Sequence, residues 1–136
     1  MPVTWAARRG ELAAIRRAVF VDEQHVPENL EWDGLDEAAR HVLALAPGGA
    51  PIGCGRLLAD GHIGRMAVLA AHRGRGVGTA LLNALLGLAR ADGHRTVFLD
   101  AQVHAIGFYR RLGFIPDGPE FMDAGIPHRH MTRPLP

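Results

Sequence analysis

The chain has 136 residues, of which 48% are apolar, 15 are basic and 14 are acidic, giving a formal net charge of +1. This length and apolar content predict a single domain over residues 1–136 with a real core. The balanced charge excludes a general attraction to nucleic acid or to a membrane surface. One cysteine, Cys54, excludes an intrachain disulfide and favours a reducing compartment. Residues 1–10 lack the apolar core of a signal peptide and no apolar run has membrane-spanning length, which predicts a cytoplasmic protein.

The N-terminal third is predicted to hold a strand, a helix and an acidic segment. Residues 3–7 form a short apolar run that indicates an edge strand. Apolar side chains at helical spacing predict a helix over residues 11–20, with Arg16 and Arg17 on its solvent-facing side. Residues 22–37 then carry half of the 14 acids and no arginine. This segment is either a solvated loop or an acidic wall that attracts a cationic substrate such as an amine.

The middle of the chain predicts three strands followed by a long helix. Residues 41–46 and 52–58 read as two strands joined by a turn rich in proline and glycine. Residues 62–69 form a third strand that runs directly into a glycine-rich loop. The helix over residues 79–91 has leucines on the face that would pack on a sheet, and Gly93 is a typical residue for its end.

The C-terminal part predicts a strand at residues 96–99, a short helix at 103–112, a strand at 114–115 and a last strand at 128–133. The middle strands are linked by hairpins and the later ones by helical crossovers. This order predicts an α/β protein of the α+β type, with a central mixed β-sheet and helices on both faces.

The glycine-rich loop is the most informative stretch for function. Residues 73–78 read Arg-Gly-Arg-Gly-Val-Gly, immediately before the long helix. Glycines let a ligand approach the backbone N–H groups, and a helix N-terminus adds free donors and a positive dipole end. The loop therefore predicts a phosphate or pyrophosphate site. The chain has no lysine, which excludes a Walker loop, and the glycine spacing does not fit the dinucleotide pattern. The alternative is a strand-to-helix turn without a ligand.

Two motifs resemble those of the GNAT N-acetyltransferases. Arg73, Gly76 and Gly78 match Arg-x-x-Gly-x-Gly, the acyl-CoA pyrophosphate loop of that family. Residues 102–114 are similar to the family's Asn/Gln-x-x-Ala-x-x-Phe-Tyr run followed by Gly-Phe. The resemblance implies the GNAT acyl-CoA N-acyltransferase fold from about residue 3 to the C-terminus. Four shorter segments resemble the ElaA-like branch of the family: residues 19–24, 32–36, 101–102 and 124–128.

The resemblance implies acetyl-CoA as the acyl donor, bound where the strands at residues 62–69 and 96–101 splay apart. Backbone groups of Met66, Ala67 and Val68 would bind the pantetheine arm, and the Val68 region would polarise the thioester carbonyl. The amides of seven consecutive residues would hold the pyrophosphate: Arg73, Gly74, Arg75, Gly76, Val77, Gly78 and Thr79.

The resemblance also implies a catalytic acid and a base. Tyr109 would protonate the departing thiolate, because a phenol with a pKa near 10 is protonated at neutral pH. The alternative is a core aromatic beside Phe108, although helical spacing sends these two residues to different faces, so that only one need be core. Glu23 and His128 are the candidates for the base that deprotonates the amine. The alternative for each is an ordinary structural or surface role.

The implied activity is transfer of an acetyl group from acetyl-CoA to a primary amine of a small molecule or a peptide by direct attack. Two alternatives stay open: a catalytically silent GNAT-fold module that binds CoA as a sensor, and a domain that binds the phosphate of another nucleotide. No metal is expected, because His128 and His130 share a strand face without further ligands. Small members of the family pair through their sheets or C-terminal strands, so the resemblance suggests a homodimer.

Overall fold

The computed structural model describes residues 1–136, with eight strands and four α-helices. The strands are β1 (Pro2–Val3), β2 (Arg40–Leu45), β3 (Pro51–Leu57), β4 (Ile63–Val68), β5 (Thr96–Gln102), β6 (Ile115–Pro116), β7 (Phe121–Asp123) and β8 (Ile126–Pro134). The helices are α1 (Trp5–Arg16), α2 (Glu28–Glu31), α3 (Val77–Ala91) and α4 (Ile106–Arg111). Helix α1 continues as a π-helical segment, Arg17–Glu23. None of the helices combines the length and the apolar character needed to cross a membrane.

The strands form two antiparallel sheets that meet along one line. The first has the order β1-β2-β3-β4, and the second has the order β5-β8-β6, with β7 also paired to β8. A single parallel bridge, between His62 and Phe98, joins the two sheets. The Phe98 N–H donates to the Gly61 carbonyl there at 3.1 Å. Beyond this bridge β4 and β5 have no ladder between them, and a gap opens.

Helices cover both faces of the first sheet because alternate residues of a strand point to opposite sides. On β2, the fully buried Val42 packs with the leucines of α3. The next residue, Leu43, packs on the other side with Leu12 and Ile15 of α1. The amphipathic helices α1 and α3 are therefore held on opposite faces, which fixes where the N-terminus of α3 lies relative to the gap.

The predicted fold class is confirmed, with three corrections to its details. The edge strand ends at Val3, because Thr4 caps α1 by accepting a hydrogen bond from the Ala7 N–H at 3.2 Å. The last strand begins at Ile126, and the short partner β7, which the sequence did not predict, pairs with it. Parallel pairing in the mixed arrangement is limited to the one bridge between β4 and β5.

Candidate active site

The gap between β4 and β5 widens into a cavity of about 1060 Å³. Its walls come from the π-helical segment, β4, the loop before α3, β5, α4 and the β7–β8 turn. Arg75 is exposed and lies outside the lining. The other predicted site residues all line the cavity: Glu23, Met66, Ala67, Val68, Arg73, Gly74, Gly76, Val77, Gly78, Thr79, Tyr109 and His128.

One end of the cavity is a cradle of free backbone donors. The N–H groups of residues 74–79 donate no hydrogen bond within the protein. Gly74 and Gly76 adopt left-handed conformations, with φ of 77° and 81°, and Gly76 is the residue that begins α3. Six consecutive free amides at the positive end of a helix form an anion site. The cradle is therefore suited to the phosphate groups of a ligand.

Tyr109 stands on α4 with its hydroxyl directed at β4. The hydroxyl lies 3.7 Å from the Met66 Sδ, and burial raises the pKa of the phenol to about 12. The ring packs edge-on against Phe108 and Phe114, at centroid distances of 5.0 and 5.9 Å. Phe108 and Tyr109 are both partly buried, pack against the core and line the cavity, so neither is a fully buried core residue. The phenol is a proton donor at neutral pH.

Glu23 reaches across the cavity mouth to Arg73. Its carboxylate accepts two hydrogen bonds from that guanidinium, at 2.6 and 2.7 Å, while the Arg73 Nε donates to the Val68 carbonyl at 2.9 Å. The hydrogen bonds from Arg73 lower the pKa of Glu23. A lowered pKa opposes the role of a base, and the paired carboxylate is not free to reach an amine.

His128 is buried on β8 with one ring nitrogen fixed. Its Nδ1 lies 2.7 Å from the Ile126 carbonyl, and a carbonyl only accepts, so the proton is on Nδ1. The Nε2 has no hydrogen-bond partner within the protein and carries the basic lone pair. His128 faces Gln102 across the β5–β8 ladder, and its ring stacks on Phe121. Of the two predicted bases, His128 has the geometry that allows it to accept a proton.

Arg16 was predicted to lie on the solvent-facing side of α1, and this prediction is wrong. The residue is buried, with an exposed fraction of 1%. It donates to Glu31 at 2.8 Å and to Asp36 at 2.6 Å. Arg56 continues the network with hydrogen bonds to Asp36 and Asp33. These contacts offset the cost of burying the charges, because every ion has an opposite partner. Arg17, in contrast, is half exposed, as predicted.

The acidic segment is therefore largely neutralised by arginines. Burial raises the pKa of Asp33, but hydrogen bonds from Arg56 and the Leu35 N–H outweigh it and bring the pKa to about 2. Arg65 adds contacts to Glu31 and Asp33, at 3.0 and 3.2 Å. Of the acids in this segment, only Glu23 and Glu31 line the cavity, and both are paired with arginines. Most of the segment is exposed and it contains the short helix α2, as expected for a solvated loop, but Glu31 and Asp36 are buried, and the paired acids do not form a free acidic wall.

Arg65 makes these contacts from a distorted position in β4. Its φ of 50° is in the left-handed region, where non-glycine residues are uncommon. The register of β3 and β4 shifts between Cys54 and Arg56, so one extra residue of β4 lies opposite Gly55. A bulge of this kind bends the strand and redirects its side chains, here towards the acidic segment.

Five further polar residues, which were not predicted as site residues, line the cavity in two groups. His62 and Asp100 lie on the two sides of the gap, with the His62 Nε2 3.9 Å from the Asp100 Oδ2. Gln24, Gln102 and His104 form a chain of hydrogen bonds at 2.8 and 2.7 Å. The signal for Asp100 was the alternation along β5, in which Val97, Leu99 and Ala101 are buried in the core.

Comparisons with known proteins agree with this geometry. The sequence pattern of the family described as acetyltransferase (GNAT) domain matches residues 7–135. YjcF of Bacillus subtilis, by name an uncharacterized N-acetyltransferase, is 38% identical over 88% of this chain and 87% of its own length. An acyl-CoA N-acyltransferase from Pseudomonas aeruginosa superimposes with a TM-score of 0.86 at 32% identity, covering 98% of this chain and 97% of that one. Escherichia coli ElaA has the same TM-score and coverage at 30% identity.

The chain belongs to the GNAT acetyltransferase family. The resemblance drawn from the loop and the α4 motif is confirmed, and ElaA is among its structural neighbours. No group of three or more histidine, cysteine, aspartate and glutamate side chains is arranged to hold a metal ion. Burial raises the pKa of the Cys54 thiol to about 12, which makes it an unreactive core residue.

Proposed function

We propose that this protein is an N-acetyltransferase that moves an acetyl group from acetyl-CoA to a primary amine of a small molecule or a peptide. The observation that carries the proposal is the cradle of free N–H groups at residues 74–79, at one end of a cavity that also contains Tyr109 and His128. Membership of the family supports the reaction class. The two catalytic side chains give the cavity the acid and the base that acetyl transfer requires.

The donor is held mainly by backbone groups. The free amides of residues 74–79 bind the diphosphate, and the arginine side chains are not required for this contact. The backbone of Met66, Ala67 and Val68 lines the gap, where it meets the pantetheine arm. Peptide groups donate and accept hydrogen bonds without carrying a net charge. Contacts to them along the whole gap hold a long and flexible acyl donor in one position, close to the acceptor.

The reaction forms one bond and breaks one. The neutral amine nitrogen bonds to the thioester carbon, and the carbon–sulfur bond breaks with its electron pair going to sulfur. His128 Nε2 accepts the proton that the amine loses, directly or through a water, and Tyr109 donates its proton to the thiolate. The hydroxyl of Tyr109 has a proton to donate at neutral pH, as an ordinary phenol does, and burial raises its pKa further. Both substrates are bound together, so no acetylated enzyme is needed.

The test is release of free CoA thiol when the protein is mixed with acetyl-CoA and a panel of primary amines, with acetylated product identified by mass. We expect amine-dependent release at a rate well above that of acetyl-CoA hydrolysis. Saturable binding of acetyl-CoA without transfer to any amine would favour the sensor module instead. A cytoplasmic location, a homodimer and the extent of the domain over residues 1–136 stay predictions.

Tyr109→Phe is expected to lower kcat by about 10- to 100-fold, at or below the lower limit of the usual range for acid catalysis, because a thiolate is already a good leaving group. The measurement is the steady-state rate with the best amine of the panel. The variant keeps the ring that packs on Phe114, so acetyl-CoA affinity and the thermal midpoint serve as controls and should be unchanged. Equal turnover of the two proteins would remove Tyr109 from the mechanism.

A further inference from the structure

The cavity contains four carboxylates, and only two of them are free of arginine. Glu23 is paired with Arg73, and Glu31 is buried against Arg16 and Arg65. The remaining two, Asp100 on β5 and Asp123 on β7, form neither a hydrogen bond nor an ion pair with an arginine. The uncompensated negative charge of the cavity therefore comes from the second sheet and not from the acidic segment of the sequence.

Asp100 has a defined place in the gap. It lies on the cavity face of β5 with Phe98 and Gln102, and its side chain is 33% exposed. His130 is its direct partner on β8, and the His130 Nδ1 lies 3.9 Å from Asp117 on the other side. No arginine approaches the Asp100 carboxylate from any of these elements. A carboxylate held in a partly enclosed cavity without a cationic partner favours a cation as ligand.

His62 forms the other side of this position. Its ring stacks on Phe98 at a centroid distance of 4.8 Å, and its Nε2 lies 3.9 Å from the Asp100 Oδ2, beyond hydrogen-bond distance. Burial lowers the pKa of His62, so at neutral pH the imidazole is uncharged and does not cancel the charge of Asp100. A neutral ring nitrogen beside a carboxylate provides a second acceptor for the N–H groups of an ammonium.

We propose that Asp100, with His62 beside it, binds a second positively charged group of the acceptor, so that the preferred acceptor is a diamine or another amine with a distant cation. This inference rests on the proposed function. It adds the substrate class and assigns a specificity-determining residue that the acetyl transfer itself does not require.

The bound cation is the second one and not the reacting nitrogen. A carboxylate next to the reacting nitrogen would keep it protonated and unable to attack. His62 and Phe98 are directly opposite each other in the parallel bridge. Counting two residues along each strand from this bridge places Asp100 opposite Gly64, which is two residues before Met66. At roughly 3.3 Å per residue of extended strand that separation is at most about 7 Å, and the bulge at Arg65 shortens it. A short linear diamine spans such a distance, with one nitrogen at Asp100 and the other near Tyr109.

The experiment compares two ligands that differ by one amino group, putrescine and butylamine. Each is titrated calorimetrically, in the presence of CoA, into the wild-type protein and into Asp100→Asn, which keeps the side-chain shape. We expect wild type to bind putrescine about 10- to 100-fold more tightly than butylamine, as for a hydrogen bond between charged groups. Asp100→Asn should remove this preference, whatever its effect on butylamine, whose single ammonium can itself pair with Asp100. The control variant is Asp22→Asn, which changes an exposed aspartate outside the cavity and should keep the preference for putrescine.

The proposal is overturned if wild type shows no preference for the diamine or if Asp100→Asn retains it. It is also overturned if the preference is lost in Asp123→Asn instead, because the cation would then lie at the β7 wall. Acetylation of both amines is measured in parallel. Selective putrescine binding without an acetylated product would contradict the proposed function while leaving the cation site in place, so the two failures are distinguishable.

Discussion

Gly76→Val is expected to reduce acetyl-CoA affinity by at least about 100-fold, the equivalent of two lost hydrogen bonds to a charged group. Gly76 has a φ of 81° and begins α3. A β-branched residue does not tolerate that conformation, so the backbone must rotate and redirect the N–H groups of the cradle. No heavy atom lies within 4 Å of the added Cβ, so the effect comes from the backbone and not from a clash within the protein. The measurement is the dissociation constant from calorimetry.

The matched control is Gly87→Ala, in the middle of the same helix and outside the cavity. Its added Cβ also meets no heavy atom within 4 Å. This variant should bind acetyl-CoA as wild type does and gain about 0.5–1 kcal/mol of stability, because alanine is the better helix former. Unchanged affinity in Gly76→Val, with the protein folded, would mean that the loop is only a turn.

Arg16→Met is expected to lower the free energy of unfolding by about 3–5 kcal/mol, the cost of leaving buried partners unpaired. Methionine fills much of the same volume, so the loss comes from Glu31 and Asp36 rather than from a cavity. The pairs also fix the acidic segment to α1, and we expect its looser attachment to weaken the cavity wall near Leu30. The measurement is urea unfolding analysed by linear extrapolation.

Arg17→Met gives the comparison within the same helix turn. Arg17 pairs with Glu28 at 2.6 Å, but both side chains are about half exposed. Exposed pairs contribute little to stability because water and salt screen them. The unfolding midpoint of this variant should stay close to that of wild type. If Arg16→Met were as stable as Arg17→Met, the buried network would have no part in holding the acidic segment.

The phosphate cradle was predictable because its information is local. A strand, three alternate glycines and an amphipathic helix follow one another directly from residue 62 to residue 91. Local backbone conformation alone then places the free amides at the helix start, as Gly74 and Gly76 do here. The α4 motif was equally local, since Tyr109 and Gly113 are separated by one helical turn. Both motifs therefore identified the family without any knowledge of tertiary contacts.

The arginine network was not predicted, although one signal for it was present. Arg16 is four residues after Leu12 and three before Val19, and both of these are buried on one face of the helix. The spacing thus placed Arg16 on the core side of the helix. The prediction put it on the solvent-facing side because arginine is charged. What the helical pattern cannot supply is the identity of the partners Glu31 and Asp36, which come from a distant part of the chain.

The place of Asp100 was missed for a related reason. The residue pattern ended the strand at residue 99 and the family resemblance extended it to residue 101, but neither gave Asp100 a role; β5 continues to Gln102. Extending the alternation of Val97 and Leu99 to Ala101 puts Asp100 on the opposite face, towards the gap. That this face lines a cavity depends on the separation of β4 from β5, which is a property of two sheets and not of one strand.

Calorimetric titration of the wild-type protein with acetyl-CoA, with NAD and ATP as controls, tests the central claim most directly. All three ligands carry a diphosphate or a triphosphate, but only acetyl-CoA has an arm that enters the gap between β4 and β5. We expect saturable binding of acetyl-CoA at one site per chain and no comparable binding of NAD or ATP. Absence of acetyl-CoA binding, or equal binding of all three, would contradict the assignment of the cradle and of the gap.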